Sequence, residues 1–316
     1  MMFVWPKELK ALGLLGMNSR NINYIARHNP RHLYPIVDNK LLTKTAALAA
    51  GIRVPELLGV IESNHELRKL PEMLAPLNQF VIKPTRGSGG KGILVISDRE
   101  FDFFLKTSGS KILQSDIRRH VNNILSGLYS LGGKPDKAMI EAMIHYDDVF
   151  NEYTYEGVPD LRIIVYKGFP IMAMLRCATH SSDGRANLHQ GAIGVGIDIQ
   201  TGKSLYAVQH GKRIIEHPDT GKNFSELCIP YWPEIMRLAA GCYEMTGLGY
   251  IGCDIVIDKH QGPMILELNA RPGLAIQLAC GLGLAKRLTF IDRLDKELME
   301  QDADNRVSFV MANQLG

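Results

Sequence analysis

Hydrophobic and polar positions along the chain fall into two periods, one of two residues and one near 3.6, and residues 252–273 (GCDIVIDKHQGPMILELNARPG) set out the first of them. Asp254 opens an apolar run (Ile255, Val256, Ile257), a polar break with glycine and proline spans 258–263, and a second apolar run delivers Glu267 and Asn269. The pattern predicts a β-hairpin. Residues two apart on a strand share a face, so Glu267 and Asn269 point the same way. Two carboxylates and an amide oxygen on one wall suit a hard divalent cation such as Mg²⁺, which takes oxygen ligands and bridges to phosphates. An ordinary hairpin with solvated acids is the alternative that this stretch alone leaves open.

Further apolar runs predict strands at 56–61, 79–84, 93–96, 138–144, 160–166 and 171–178. Helical spacing and stop signals predict a helix from Asp38 to the glycine at 51, then helices at 64–75 (where Pro71 can split it), 98–106, 115–131, 234–246 and 286–299. Residues 1–37 read as a short, partly helical N-terminal segment, 38–78 as a helix and strand leading into a core, 79–145 as a small lobe, 146–300 as a large lobe and 301–316 as a polar tail, loosely ordered or docked on the surface. Within the large lobe, 204–233 looks irregular. The fold class expected is mixed α/β (α+β).

The strand QFVIKP carries Lys83 and runs directly into TRGSGGKG, residues 85–92. A glycine-rich loop between two strands is a flexible flap whose N–H groups can approach phosphate oxygens. It lacks the GK[ST]-then-helix context of a P-loop and the spacing of a dinucleotide fingerprint. Lys83 at its base moves the reading toward nucleotide phosphate. Lys40 lies in the first turn of the 38–51 helix and Lys44 one turn later on the same side; two such lysines are usually solvated. Glu141 is a single acid in the run AMIEAMI, either at a solvent edge or lining an adenine pocket with Asp148 reaching a ribose. Arg162 and Arg176 interrupt apolar strands, where guanidinium needs an anchoring carboxylate or phosphate. Arg185, Asn187 and His189 alternate downstream; each fits a plain surface position, but beside the two strand arginines they read more as an anion-binding wall.

Composition narrows the field. A chain of 316 residues with 46% apolar content supports two or three lobes. A net charge of +3 with no basic block points to no nucleic-acid or membrane surface. The five cysteines show no CxxC pair and read as buried thiols of a reducing compartment. No signal peptide or membrane-length apolar run is visible, so a cytoplasmic protein is expected.

Taken in order, DNKLLTK with AGIRVP, FVIKP with RGSGGKG, IEAMI, DLRIIV, RANLHQG, and GCDIVID with ILELNARPG resemble the ATP-grasp superfamily, within it the RimK-like glutamate ligases. EHPDTG, IPYW, YIGCDI and NARPG look like the group associated with sugar transfer. The resemblance covers roughly 38–288. It implies an ATP-grasp fold in which two α+β lobes clasp ATP, with a truncated N-terminal region. It also implies that Gly87, Ser88, Gly89 and Gly90 cover the phosphates, which Lys40 and Lys83 contact. Glu141, Ala142 and Ile144 would hold adenine, and Asp148 would lie near the ribose. Asp254, Glu267 and Asn269 would bind Mg²⁺, with Mn²⁺ as an alternative. Arg162, Arg176 and Asn187 would face the phosphate or acyl phosphate, and Arg271, a departure from the RimK pattern, would either meet a substrate carboxylate or pair with a neighbouring acid. The implied activity is an ADP-forming carbon–nitrogen ligase that acts on an amino acid or peptide. A kinase acting on a hydroxyl and a nucleotide-binding regulator without turnover share the fold; the acceptor and any homo-oligomer are left open.

Overall fold

Two antiparallel sheets organise the chain in the computed structural model, which describes residues 5–87, 89–130 and 132–315. The chain divides into two compact units. One holds 39–44 and 54–145; the other holds 1–38, 45–53 and 146–316.

The first of these units contains the start of helix α1 (Lys40–Ala49) and a six-stranded sheet built from β1 (Leu57–Ile61), β2 (Phe80–Pro84), β3 (Leu94–Glu100), β4 (Phe103–Lys106), β5 (Lys111–Leu113) and β6 (Ala138–Glu141). The strand order is β1-β6-β2-β3-β4-β5. Helix α2 (Gln114–Leu125) buries Ile117, Val121, Ile124 and Leu125, spaced for one helical face. They join Phe80, Ile82, Leu94, Ile96, Phe104 and Ile140 in one core.

Residues 98–106 are therefore hairpin, correcting the helix expected there. Phe101 takes a left-handed conformation (φ 51°) that breaks a helix and turns the chain, and beyond it Phe104 packs inward while Phe103 stays exposed. The helix expected over 115–131 ends early because Gly127 turns the chain at φ 84°, where a Cβ would lie 2.4 Å from the Lys134 carbonyl oxygen. Leu131 lies outside the described residues. The run 64–75 is a 3₁₀ turn (Asn64–Lys69) followed by a short α-helix (Leu70–Leu74).

The other unit carries a seven-stranded sheet: β7 (Asp160–Tyr166), β8 (Phe169–Cys177), β9 (Ile193–Ile197), β10 (Ser204–Gln209), β11 (Lys212–Ile214), β12 (Tyr250–Asp258) and β13 (Gly262–Asn269). Its order is β11-β10-β9-β8-β7-β12-β13. Every residue of β7 and β12 is buried, so these strands are covered on both faces and read as continuous apolar runs. Helix α3 (Trp232–Thr246) packs on β7, β8, β12 and β13. The stretch 204–233 is thus not wholly irregular: β10 and β11 open it. The run 286–299 divides into α4 (Leu284–Asp292) and a short helix (Lys296–Met299), and the tail forms α5 (Ala303–Ala312), docked through Arg306, Val307 and Val310. Before residue 38, a π-helical turn (Arg20–Ile25) follows a short helix (Pro6–Ala11). Four cysteines are buried as expected; Cys228 is exposed. Among the described residues no helix is long and apolar enough to cross a membrane.

Candidate functional site

In the six-stranded unit, β2 and β6 pair with Lys83 opposite Met139 and Val81 opposite Glu141. This register brings the Lys83 ammonium onto Glu141 Oε2, while Lys44, reaching in from α1, lies 2.6 Å from Oε1. Lys44, Lys83 and Glu141 are 4%, 6% and 3% exposed, so Glu141 is not at a solvent edge and Lys44 is not a solvated lysine. Lys44 also donates to the Pro55 carbonyl. Burial lowers the Lys44 pKa, the Glu141 carboxylate opposes that, and Lys83 adds to it. Two ammonium groups thus share one carboxylate.

The glycine flap leaves this cluster through Thr85 and Arg86. Asp136 fixes its base: the carboxylate accepts from the Thr85 hydroxyl, from the Arg86 N–H at 2.9 Å and from the Lys137 N–H at 2.8 Å. Lys40 Nζ donates to the Gly87 carbonyl at 2.8 Å. Gly89 and Gly90 hold left-handed φ of 63° and 75° with open space on the side where a Cβ would stand. Ser88 lies outside the described residues. Past β6, the Ala142 N–H donates to the Glu56 carbonyl at 3.0 Å, and Ile144 is half-buried.

In the seven-stranded unit, Arg162 sits opposite Asp254, and Asp160 opposite Arg176. Arg162 donates to both oxygens of Asp254, with Nη2 to Oδ2 at 2.7 Å. Arg176 donates to both oxygens of Asp160, with Nε to Oδ1 at 2.6 Å, and lies 2.9 Å from Asp254 Oδ2. Two guanidiniums and two carboxylates make a balanced set. Burial pushes the Asp160 carboxyl above its ordinary range against the pull of Arg176. Burial also raises Asp254, but Arg162 and Arg176 outweigh it and hold that carboxyl low. Among the described residues neither Nη1 group has a protein hydrogen-bond partner.

The hairpin places Asp254 opposite Glu267 and Gly252 opposite Asn269. Asn269 Nδ2 donates to Asp254 Oδ2 at 3.2 Å, and Glu267 and Asn269 are half-buried. Among the described residues no three His, Cys, Asp or Glu side chains group as a metal site. An oxygen set of two acids and an amide is still what a hard cation takes when phosphate oxygens complete its shell. Asp254 Oδ1 accepts from Arg162 Nε alone, whereas Oδ2 carries the three other contacts, so a lone pair remains on Oδ1.

Three more residues assigned roles from the sequence have these local contacts. Asp148 is exposed and pairs with Lys259 at 2.7 Å. Asn187 caps a 3₁₀ turn, its Oδ1 accepting the His189 N–H at 3.0 Å. Arg271 is exposed and stacks on Tyr34, 5.5 Å from the ring centroid, with no acid among the described residues paired to it.

Sequence reasoning gave no site role to Lys44 and passed over Asp136, Asp160 and the N-terminal side chains that hold the start of β12 and the turn after β13. Arg20 Nη1 donates to the Pro272 carbonyl at 2.7 Å, and Asn29 Nδ2 donates to the carbonyls of Tyr250 and Ala270 at 2.7 and 3.2 Å. Only Lys44 left a sequence signal, its i+4 spacing from Lys40.

A probable alpha-L-glutamate ligase of Parasynechococcus marenigrum (strain WH8102) is 24% identical over 251 residues, covering 78% of this chain and 39% of the relative. The chain thus spans well under half the length of that relative. The ATP-grasp ligase PsnB complexed with minimal precursor superposes with a TM-score of 0.44 at 13% identity, over 90% of this chain and 62% of that one. The D-alanine–D-alanine ligase from Bacillus anthracis complexed with ATP gives 0.43 at 12%, over 89% and 66%. The model of the sugar-transfer associated ATP-grasp family matches residues 19–293, most of the chain and both of its sheets, and the chain belongs to that family.

Proposed function

We propose that this chain is an ATP- and Mg²⁺-dependent ligase that joins a carboxylate to an amine through an acyl phosphate, adding glutamate or another amino acid to a peptide or envelope-related acceptor. The observation that carries this reading is the buried Lys83–Glu141–Lys44 cluster at the base of a glycine flap, in a chain of the ATP-grasp family. A buried excess of positive charge at a glycine-rich flap suits polyphosphate. The name of the curated relative favours ligation over phosphoryl transfer to a hydroxyl.

In this reading Lys83, Lys40 and the N–H groups of the flap take phosphate oxygens, with Glu141, Ala142 and Ile144 toward adenine. Asp254, Glu267 and Asn269 would hold Mg²⁺, and the ion would supply charge that offsets that of the phosphates. Arg162 and Arg176, fixed by their carboxylates, direct their remaining N–H groups at the charge that develops on the transferred group. A substrate carboxylate oxygen bonds to the γ-phosphorus as the bond to ADP breaks. The amine nitrogen then attacks the acyl carbon, phosphate leaves, and the nitrogen gives up its proton. No covalent enzyme nucleophile is required.

Incubation with ATP, Mg²⁺ and a panel of amino acids and peptides tests the proposal. ADP, free phosphate and an amide of the expected mass support it. A phosphorylated product without phosphate release would instead establish a kinase.

A further inference from the structure

Lys44 is the unexpected member of the buried cluster. A Lys83–Glu141 pair alone would be neutral and self-contained. Lys44 changes that by taking Oε1 of Glu141 at 2.6 Å, which leaves Lys83 with Oε2 alone. Glu141 is the sole carboxylate that pairs with either lysine among the described residues. The cluster therefore carries one positive charge more than the protein balances, although all three groups are buried.

An unbalanced buried charge is costly, and replacing it with a neutral group usually relieves the fold. A purely structural account has Lys44 pinning the Pro55 carbonyl before β1. A neutral side-chain amide could make that bond with less desolvation. The second ammonium is explained if an anion completes the cluster.

We propose that Lys44 is a positioning residue for the nucleotide phosphates: by holding one oxygen of Glu141 it keeps Lys83 from being neutralised, so that Lys83 presents its charge and its two remaining N–H donors to a phosphate. Lys44 itself touches no nucleotide atom. The inference rests on the reading of this chain as an ATP-dependent enzyme. It adds that phosphate affinity is set by a residue whose contacts all lie within the protein.

Calorimetric titration of the full chain with ATP, ADP and AMP in the presence of Mg²⁺ tests this. Lys44→Gln, which keeps a donor for Pro55, is expected to weaken ATP and ADP at least tenfold, about 1.4 kcal/mol. AMP affinity stays within about threefold, so the loss tracks the β- and γ-phosphates, and Lys44→Arg returns ATP binding to within about threefold of wild type. Thermal melts of both variants identify a folding defect, and Lys44→Arg carries the test if Lys44→Gln does not fold: ATP binding by the arginine variant near the wild-type level supports the proposal, and tenfold loss in a folded arginine variant overturns it. Wild-type ATP affinity in Lys44→Gln, or an equal loss for AMP and ATP, also overturns it. Failure of the wild-type chain to bind any nucleotide removes the proposed function and this inference together.

Discussion

The two sheets each bury a cluster of charge, and the clusters differ in their balance. In the seven-stranded sheet Arg162 and Arg176 meet Asp160 and Asp254, so each guanidinium has a carboxylate and the set closes on itself. In the six-stranded sheet Lys44 and Lys83 meet Glu141 alone. A closed set costs desolvation but is repaid inside the protein, and its main effect is to hold side chains still. An open set has one charge over that no carboxylate among the described residues pairs, and this is the charge proposed above to meet a ligand. The chemistry of the side chains matches: guanidinium forks fix geometry by two-pronged bonds, whereas an ammonium is a point charge with donors to spare.

The comparison breaks most sharply if the closed set is opened. Asp254→Ala leaves Arg162 without a carboxylate in a buried site, and a loss of about 3–5 kcal/mol is expected in urea denaturation. A cost below about 1 kcal/mol would mean that the set is not what holds these arginines. Glu267 lies outside the set, on the neighbouring strand. Glu267→Gln is expected to keep its melting temperature yet lose about 2.7–4 kcal/mol of transition-state stabilisation, on the analogy of removing one oxyanion donor, read as kcat/KM across an Mg²⁺ titration. Full Mg²⁺-dependent turnover would refute its metal role.

The open set is sharpened by Lys83→Met. It removes the ammonium proposed to meet phosphate and should weaken ATP binding by about 1.5–3 kcal/mol, the scale of a hydrogen bond to a charged group, while Lys44 and Glu141 remain as a neutral pair that keeps the fold. Equal ATP affinity in wild type and variant would contradict the phosphate role. Asn29→Ala provides a measure away from both clusters. It frees the carbonyls of Tyr250 and Ala270, and roughly 1–3 kcal/mol of stability should be lost in chemical denaturation.

The smallest effect is one of pH. Burial holds the His28 imidazole below its ordinary 6.5, with Lys167 adding to this and Asp292 opposing it. The unfolded chain then binds more protons between the two values. Stability is therefore complete above 6.5 and declines as pH falls through the folded value. Denaturation midpoints from about pH 7 to about pH 5 should show the decline, and His28→Gln should reduce it.

Much of the fold was legible because strands buried on both faces announce themselves as apolar runs: DLRIIVY, IMAMLRCA and GCDIVID each mark the strand that forms there. The hairpin at 98–106 was not, because its Asp, Arg, Glu and Lys residues fit an exposed helix face as well as an edge hairpin, and the left-handed turn at Phe101 has no glycine to mark it. The hairpin that sets Asp254 opposite Glu267, with Asn269 two residues on, was readable from spacing along two runs. The partners of Arg162 and Arg176 were not, since an arginine in an apolar strand demands an anion without saying whether the protein or a ligand supplies it.

What the amino-acid sequence determined by itself was the list of chemical groups and the local elements that carry them: a lysine ahead of a glycine flap, acids and an amide at alternating strand positions, arginines in apolar runs. These follow from periodicity and residue type, which act over a few neighbours. Which charge meets which was decided only by tertiary structure, because strand register joins residues far apart in the chain. Asp254 faces Arg162 across 92 residues, and Lys44 arrives at Glu141 from a helix that its own sequence marked as a place for solvated lysines. The excess charge beside Lys83 is a property of that meeting, and no single segment contains it.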